Sequence, residues 1–152
     1  MATLYRACLI GCGRMGATID DEVRDSSAGT ALIPYSHAAG YVASEHTELV
    51  AVSDVMEEKV KEIQERYEVA NGYTDYREML LREEPDIVSI ATRPAPHAEM
   101  TVFAAENGIK GIYCEKPLCC SMDEADAMAD ACEANGTKFN YGAQRRYTPM
   151  YQ

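Results

Sequence analysis

Short apolar runs alternate along the chain with longer segments in which apolar residues recur every three or four positions. The short runs predict β-strands at residues 5–11, 48–54, 85–92, 111–115 and 137–142, with a weaker candidate at 71–73. Most of these runs are apolar at successive positions, a pattern typical of parallel strands that are covered on both faces.

The longer segments predict amphipathic helices at residues 57–67, 75–84, 97–108 and 121–136. Ser121, followed by Glu124, forms a capping-box pattern at the start of the last helix, and Gly136 provides its end. Strands that alternate with helices imply right-handed βαβ units. We therefore expect an α/β fold with a doubly wound parallel sheet in three α/β/α layers, and one domain over residues 1–152.

Residues 17–34 interrupt this alternation, because they are too polar and too rich in small residues for one amphipathic helix. The next helical pattern spans residues 35–45. We expect a first helix that is interrupted by a long loop. Loops of this length are usually functional or mobile, so both a mobile surface excursion and a flap over a ligand remain open.

Composition and charge narrow the classes of partner. The chain has 152 residues, 47% hydrophobic and 26% charged, and its net charge of −11 argues against nucleic acid or an anionic membrane as a general partner. No apolar run reaches the roughly 18 residues that a membrane span needs, and the N-terminus lacks a secretory pattern. The six cysteines lie in or beside predicted elements without metal-ligand spacing, so we expect reduced thiols, a cytoplasmic protein and no metal site.

The first strand ends in a G-x-G-x-x-G turn, which is a weak signal alone but stronger between a strand and a helix start. Its residues are Gly11, Cys12, Gly13, Arg14, Met15 and Gly16. The first glycine permits a tight turn, the second lets backbone amides approach a pyrophosphate, and the third allows close helix–strand packing. A merely structural turn is the alternative.

The second strand ends in Asp54, where an acid can hydrogen-bond the ribose hydroxyls of an adenosine group. The distance from the glycine turn is longer than usual, and residues 17–34 account for the excess. No arginine follows to receive a 2′-phosphate, so NAD is favoured over NADP. The alternative is that Asp54 caps the next helix, and one residue could serve both purposes.

A third strand end, at residues 85–92, carries further candidates for cofactor contact. Thr92 is placed near the nicotinamide ribose, and we count its neighbour Arg93 with it. His97 stands in the first turn of the next helix and is a candidate neutral hydrogen-bonding group. A packing or capping histidine is an equally good interpretation. His37 and His46 carry no motif and receive no role.

The strand at 111–115 ends in Glu115-Lys116-Pro117, a charged pair before a ring that removes a backbone donor. At this edge of the sheet Lys116 would project toward the reactive end of a dinucleotide. There its ammonium could hydrogen-bond the substrate oxygen and help to move its proton. Glu115 would orient Lys116 or touch the nicotinamide, and a cis Lys116–Pro117 bond is a further hypothesis. A surface Glu–Lys pair is the alternative.

Five segments together resemble a known family. "LIGCGRMG", "LVAVSD", "IATRPAPHAEM", "CEKPL" and "YGAQRRYTP" are similar, in this order, to the nucleotide-binding half of the Gfo/Idh/MocA oxidoreductases. The resemblance spans residues 4–149 and implies an N-terminal Rossmann domain that binds NAD(P). It also implies that Lys116 matches the catalytic lysine and that Glu115 belongs to the same motif.

The resemblance carries further implications for the chain's C-terminal part. Asn140, Gln144, Arg145 and Arg146 lie where the family's chain leaves the Rossmann domain, and they approach cofactor or substrate or are ordinary surface residues. Family members continue into a second α/β domain that supplies substrate contacts and the oligomer interface. We expect this chain to be a fragment of such an enzyme, with little activity alone, rather than a stand-alone cofactor domain.

The leading functional hypothesis is therefore an NAD-binding domain of a dehydrogenase that acts on the CH–OH group of a sugar, cyclitol or related polyol. The alternatives are a non-catalytic NAD-binding sensor and an inert scaffold. A homo-oligomer is compatible with the family resemblance.

Overall fold

The computed structural model describes residues 3–25 and 33–143 of the chain. In this part six strands form one sheet: β1 (Tyr5–Ile10), β2 (Thr47–Ser53), β3 (Asn71–Tyr73), β4 (Ile87–Ile90), β5 (Gly111–Cys114) and β6 (Lys138–Tyr141). Their order is β3-β2-β1-β4-β5-β6, and every neighbouring pair is parallel. The chain starts in the middle of the sheet, fills one half and then returns to fill the other, which confirms the doubly wound Rossmann fold.

The helices connect these strands on both faces. They are α1 (Ile19–Arg24), α2 (His37–Ala43), α3 (Glu57–Tyr67), α4 (Tyr76–Glu83), α5 (His97–Glu106) and α6 (Met122–Asn135). The predicted start of α6 is confirmed, because Ser121 Oγ accepts a hydrogen bond from Glu124 N at 3.2 Å. Its predicted end is confirmed as well, since Gly136 adopts a left-handed φ of 69°.

Two apolar clusters fill the space on either side of the sheet. On one face, strand residues such as Ile90 and Ile112 pack against α4, α5 and α6 through Met79, Ala104 and Met128. On the other face, apolar residues of β1 and β2 pack against the elements that follow β1 and against α2 and α3. The sheet is therefore the middle of three layers, as the continuous apolar runs predicted.

Residues 14–25 show how the chain continues after the first strand. A five-residue π-helical turn (Arg14–Thr18) leads into the six-residue α1, which is shorter than a usual Rossmann helix. Part of the segment 17–34 is thus helical. Residues 26–32 lie outside the described ranges. The choice between a surface excursion and a flap depends on these residues and stays a prediction.

The observed strands are shorter at their ends than the apolar runs suggested. β4 covers residues 87–90 of the predicted 85–92, and β6 covers 138–141 of the predicted 137–142. Pro85 provides no backbone donor for the sheet, and a turn follows Ile90. In the described residues, no helix combines the length and the apolar character required to cross a membrane.

Candidate functional site

The carboxyl ends of the strands meet along one rim of the sheet. Backbone hydrogen bonds continue one residue beyond the strands: Gly11 N donates to Ser53 O (2.7 Å), Ala91 N to Ile10 O (2.8 Å) and Glu115 N to Ile90 O (2.9 Å). Asp54 N donates to Tyr73 O at 3.2 Å in the same way. The first residue after each of these strands is therefore hydrogen-bonded to the adjacent strand. The predicted site residues lie at these positions or directly after them.

A cavity of about 700 Å³ opens along this rim, a volume within the range of small-molecule sites. Its wall includes most of the predicted site residues: Gly11, Gly13, Arg14, Met15, Asp54, Thr92, Arg93, Glu115 and Lys116. Three predicted residues, Cys12, Gly16 and His97, are buried behind this wall. The cavity thus joins the glycine turn to the Glu-Lys-Pro turn.

The three glycines of the turn meet different surroundings. Gly11 has φ of 98°, and an added Cβ would lie 2.7 Å from Ala91 O. At Gly16 an added Cβ would lie 1.9 Å from Gly11 O, so this glycine allows the close packing of the turn. An added Cβ at Gly13 would meet no protein atom within 4 Å, and Gly13 lines the cavity. Gly13 therefore leaves room for a ligand to approach the backbone.

Asp54 joins the glycine turn to the segment before α3. Its Oδ2 accepts a hydrogen bond from Cys12 N at 2.9 Å, and its Oδ1 accepts one from Met56 N at 3.0 Å. The N-cap position of α3 is occupied by Met56, so the alternative of Asp54 as the N-cap residue is not what the structure shows. A carboxylate has about four acceptor sites, which leaves capacity for ribose hydroxyls.

Cys12 contributes only its backbone to the site. Its side chain is buried, and burial, with the nearby Asp54 carboxylate, raises the pKa of its thiol to about 12. All six cysteines are free thiols. Among the described residues, no group of three or more His, Cys, Asp and Glu side chains is arranged to hold a metal ion.

The strand end after β4 places Thr92 and Arg93 in the wall but withdraws His97 from it. The His97 side chain is fully buried, with Nδ1 3.0 Å from Pro117 O and Nε2 3.2 Å from Thr92 O. Its position matches the packing interpretation, because it ties the turn after β4 to the turn after β5. Direct contact between His97 and a ligand would need a rearrangement of both turns.

Glu115 and Lys116 directly follow β5, at the end of the cavity where we expect the reactive nicotinamide ring of a dinucleotide. Glu115 is buried at 5% exposure, whereas Lys116 is exposed, and both line the cavity. Glu115 Oε2 accepts a hydrogen bond from Lys116 N at 3.1 Å. The Lys116–Pro117 peptide bond is cis, which confirms the sequence-based hypothesis.

His37 is a residue that the sequence reasoning left without a role. Its Nε2 lies 3.2 Å from Glu115 Oε1, and its Nδ1 lies 2.9 Å from Ser89 Oγ. Two sequence signals point to this contact: Ser89 is a polar residue within an apolar strand, and His37 and Tyr41 have the i, i+4 spacing of one helix face. His46 lies at the opposite edge, where its carbonyl accepts a hydrogen bond from Tyr5 N.

Several wall residues were also not predicted. They lie around the Asp54 end of the cavity and include Val55, Met56, Lys59, Thr74 and Tyr76. Apolar and aromatic side chains in this group provide surfaces suited to a flat ring. No sequence motif marks them, because their placement depends on how α3 and α4 pack beside the rim.

A family comparison agrees with this geometry. Residues 5–143 match the Gfo/Idh/MocA family, described as an oxidoreductase family with an NAD-binding Rossmann fold. The chain belongs to this family. The expected NAD cofactor and the family resemblance are thereby confirmed for the Gfo/Idh/MocA domain, and its Rossmann fold is the one described above.

Several individual relatives are named as dehydrogenases of sugars or inositols. The Gfo/Idh/MocA domain is 31% identical over 134 residues to scyllo-inositol 2-dehydrogenase (NAD(+)) of Bacillus subtilis, covering 88% of this chain and 39% of the relative. It is 32% identical over 111 residues to D-glucoside 3-dehydrogenase of Escherichia coli, covering 73% and 31%. The chain thus spans between about a third and two fifths of the length of these relatives.

Solved structures show the same relationship. Myo-inositol 2-dehydrogenase from Lactobacillus plantarum superimposes with a TM-score of 0.78 at 27% identity, covering 97% of this chain and 38% of the other. Scyllo-inositol dehydrogenase from Lactobacillus casei, solved with NAD(H) and scyllo-inositol, gives a TM-score of 0.79 at 18% identity, covering 98% and 39%. At that identity the second likeness shows the fold alone.

Proposed function

We propose that this Gfo/Idh/MocA domain holds NAD for a dehydrogenase that acts on the CH–OH group of a sugar, cyclitol or related polyol. The observation that carries the proposal is that the glycine turn, Asp54 and Lys116 line one cavity of about 700 Å³. The named relatives, which act on inositols and a glucoside, support the substrate class.

The residues of the cavity fit a dinucleotide. The open space at Gly13 admits a pyrophosphate against the backbone, where the first amides of a helical segment have no intrahelical partner. Asp54 would accept hydrogen bonds from ribose hydroxyls. The two ends of the site, Asp54 and Glu115, are three strand spacings of about 4.8 Å apart, which matches an extended ligand along the rim.

Asp54 also supports a preference for NAD over NADP. Its carboxylate would repel a 2′-phosphate, and among the residues that follow Asp54 along the chain into α3 the wall contains Lys59 rather than an arginine fork. A lysine provides a point charge on a flexible stem, so it does not replace the bidentate contact that an arginine would make.

Lys116 is the proposed catalytic residue. When bound, the nicotinamide ring supplies the hydride chemistry. The ammonium group of Lys116 would donate a hydrogen bond to the substrate oxygen and hold or move its proton. Lys116 is exposed at the cavity, so its side chain can meet a substrate, while the buried Glu115 anchors the backbone beneath it.

Substrate contacts would come from the part of the enzyme that corresponds to the remaining length of the relatives. Asn140 lies on β6, the last described strand, whereas Gln144, Arg145 and Arg146 lie outside the described residues. A cytoplasmic location and a homo-oligomeric enzyme belong to the same proposal, and the reduced cysteines support the former.

Titration of the chain with NADH, followed by nicotinamide fluorescence, tests the proposal. The wild-type chain should show saturable binding that NAD competes away. Gly13→Ala should weaken NADH binding by about tenfold or more, because the new methyl group enters the space reserved for phosphate. Its φ of −85° is compatible with alanine, so the fold should persist.

Gly40→Ala is the matched control. Gly40 lies in α2, and an added Cβ there also meets no atom within 4 Å, but Gly40 is not part of the cavity wall. This variant should bind NADH as the wild type does. Lack of saturable binding by the wild-type chain would reject the proposed function, and equal binding by Gly13→Ala would reject the glycine turn as the phosphate site.

A further inference from the structure

A largely buried histidine, His37, which the proposed chemistry does not use, lies beside the Glu-Lys-Pro turn. The side chains of His37 and Glu115 are only 11% and 6% exposed, and His37 Nε2 lies 3.2 Å from Glu115 Oε1. On the other side of the ring, Nδ1 lies 2.9 Å from Ser89 Oγ. The histidine therefore bridges the middle of β4 and the residue that follows β5.

The hydrogen bonds around His37 form a consistent series of donors. Tyr41 OH lies 2.7 Å from Ser89 Oγ, and burial raises the pKa of the Tyr41 phenol to about 12, so the phenol is protonated at neutral pH. Tyr41 can then donate to Ser89, Ser89 to His37 Nδ1, and His37 Nε2–H to Glu115. The Tyr113 ring packs edge-on against His37 with centroids 4.8 Å apart, which restrains the ring.

Glu115 depends on this contact because its carboxylate is buried. Burial alone would raise the pKa of Glu115, but the hydrogen bonds from the His37 ring and from Lys116 N, together with the positive charge of the Lys116 side chain, outweigh it and lower the pKa. Little space remains on a further side, since an added Cβ at Gly142 would lie 3.1 Å from Glu115 Oε1. Both carboxylate oxygens thus have defined partners, one in α2 and one in the backbone of Lys116.

We propose that His37 is a positioning residue: by donating a hydrogen bond from Nε2 to Glu115, it fixes the carboxylate that holds the backbone of Lys116 and thereby directs the Lys116 side chain into the cavity. The functional meaning of this arrangement rests on the proposed role of Lys116. The hydrogen-bond arrangement itself can be measured in the cofactor-free chain.

The tautomer of His37 provides the first test. In ¹⁵N NMR spectra of the 152-residue chain at neutral pH, the His37 ring should carry its proton on Nε2 and none on Nδ1. A ring protonated on Nδ1 alone, or an imidazolium, would overturn the proposal, because neither matches a Ser89 donor on one side and a Glu115 acceptor on the other.

Two substitutions separate the two ends of the ring. In His37→Gln the side-chain amide nitrogen reaches the position of Nε2 and can still donate to Glu115, whereas in His37→Asn the amide reaches only the position of Nδ1. Hydrogen exchange of the Lys116 amide should accelerate about tenfold in His37→Asn and stay within about threefold of wild type in His37→Gln. Exchange of amides in β1 reports global stability and provides the correction for it.

Equal acceleration in both variants, after that correction, would overturn the proposal, since it would show a packing role without a specific donor. Unchanged exchange in His37→Asn would overturn it as well. Both measurements use the chain without cofactor. Failure of NADH to bind would therefore reject the proposed function. The His37 measurements would still test whether His37 donates a hydrogen bond to Glu115 and thereby holds the Lys116 backbone.

Discussion

At the scale of single residues, Asp54 has two tasks that its carboxylate can perform together. It holds the backbone of the glycine turn through Cys12 N and the start of the next connection through Met56 N. The same group faces the cavity. The acid is therefore already fixed in position before a ribose binds, which reduces the cost of ordering it on binding.

Asp54→Asn keeps the size of the side chain and removes its charge. We expect NADH affinity to fall by about tenfold, because hydrogen bonds to a charged acceptor contribute about 1.5–3 kcal/mol, and NADPH affinity to fall less or to rise. The ratio of the two dissociation constants, measured by fluorescence titration, checks this. Glu48→Gln removes a charge near the start of the same strand and should leave the ratio unchanged. An unaltered ratio in Asp54→Asn would contradict the role of Asp54 in cofactor choice.

At the scale of elements, Asp20 connects α1 to the start of α2. Its Oδ1 accepts a hydrogen bond from Tyr35 N at 2.8 Å and its Oδ2 one from Ser36 N at 3.0 Å, and the residue is 3% exposed. Ser36 in turn caps α2 by accepting a hydrogen bond from Ala39 N. The Asp20 carboxylate thus links α1 to the residues directly before α2, the helix that carries His37.

Asp20→Asn should lower the free energy of unfolding by about 1–3 kcal/mol at neutral pH. Burial alone would raise the pKa of Asp20, but hydrogen bonds from Ser36 and Tyr35 outweigh it, so the folded-state pKa lies below the ordinary value. The contribution is therefore complete above the unfolded-state pKa of about 3.9 and is lost as the pH falls through the folded-state value. The difference from wild type in urea unfolding should shrink below about pH 4.

Asp25→Asn is the control for this experiment. Asp25 is the exposed C-cap residue of α1, so its substitution should change the unfolding free energy little at either pH. A difference between wild type and Asp20→Asn that stays constant between pH 7 and pH 3 would contradict the role of the Asp20 carboxylate.

The elements also show how far the sequence predicted this protein. The helix at 57–67 was predicted with its observed ends, and Gly11, Gly13, Asp54 and Lys116 were predicted to lie together, because each follows a parallel strand at its carboxyl end. Such positions depend only on strand order and direction. The sequence could not predict that His97 is withdrawn from the cavity, because that depends on which carbonyls of two turns surround its ring.

At the scale of the whole molecule, the sheet brings the ends of β1, β2, β4 and β5 to one rim, and the cavity follows that rim from Asp54 to Lys116. The domain therefore gathers the proposed cofactor-binding residues along one rim. Lys116 is exposed, which leaves its side chain accessible to a substrate that other parts of the enzyme would hold. Cofactor binding and catalysis should accordingly be separable by mutation.

Lys116→Ala tests this separation. The variant should bind NADH within about threefold of wild type, since the phosphate and ribose contacts lie at the glycine turn and Asp54. Turnover should fall by about 10²–10⁴-fold, the usual contribution of a general acid–base group. The assay needs a complete enzyme, for which residues 5–143 can replace the matching region of the Bacillus subtilis scyllo-inositol 2-dehydrogenase.

Lys138→Ala is the control for the loss of a lysine, because Lys138 is exposed on β6 and is not part of the cavity wall. This variant should leave both NADH binding and turnover unchanged. If Lys116→Ala retained full turnover, the Glu-Lys-Pro turn would be part of the scaffold of the site and not of its chemistry. If the variant instead lost NADH binding and turnover equally, Lys116 would act on the cofactor. The proposed contact between Lys116 and the substrate oxygen predicts a loss of turnover with NADH binding retained. The NADH titration contains no substrate, so the loss of that contact changes turnover and leaves the measured NADH affinity unaltered.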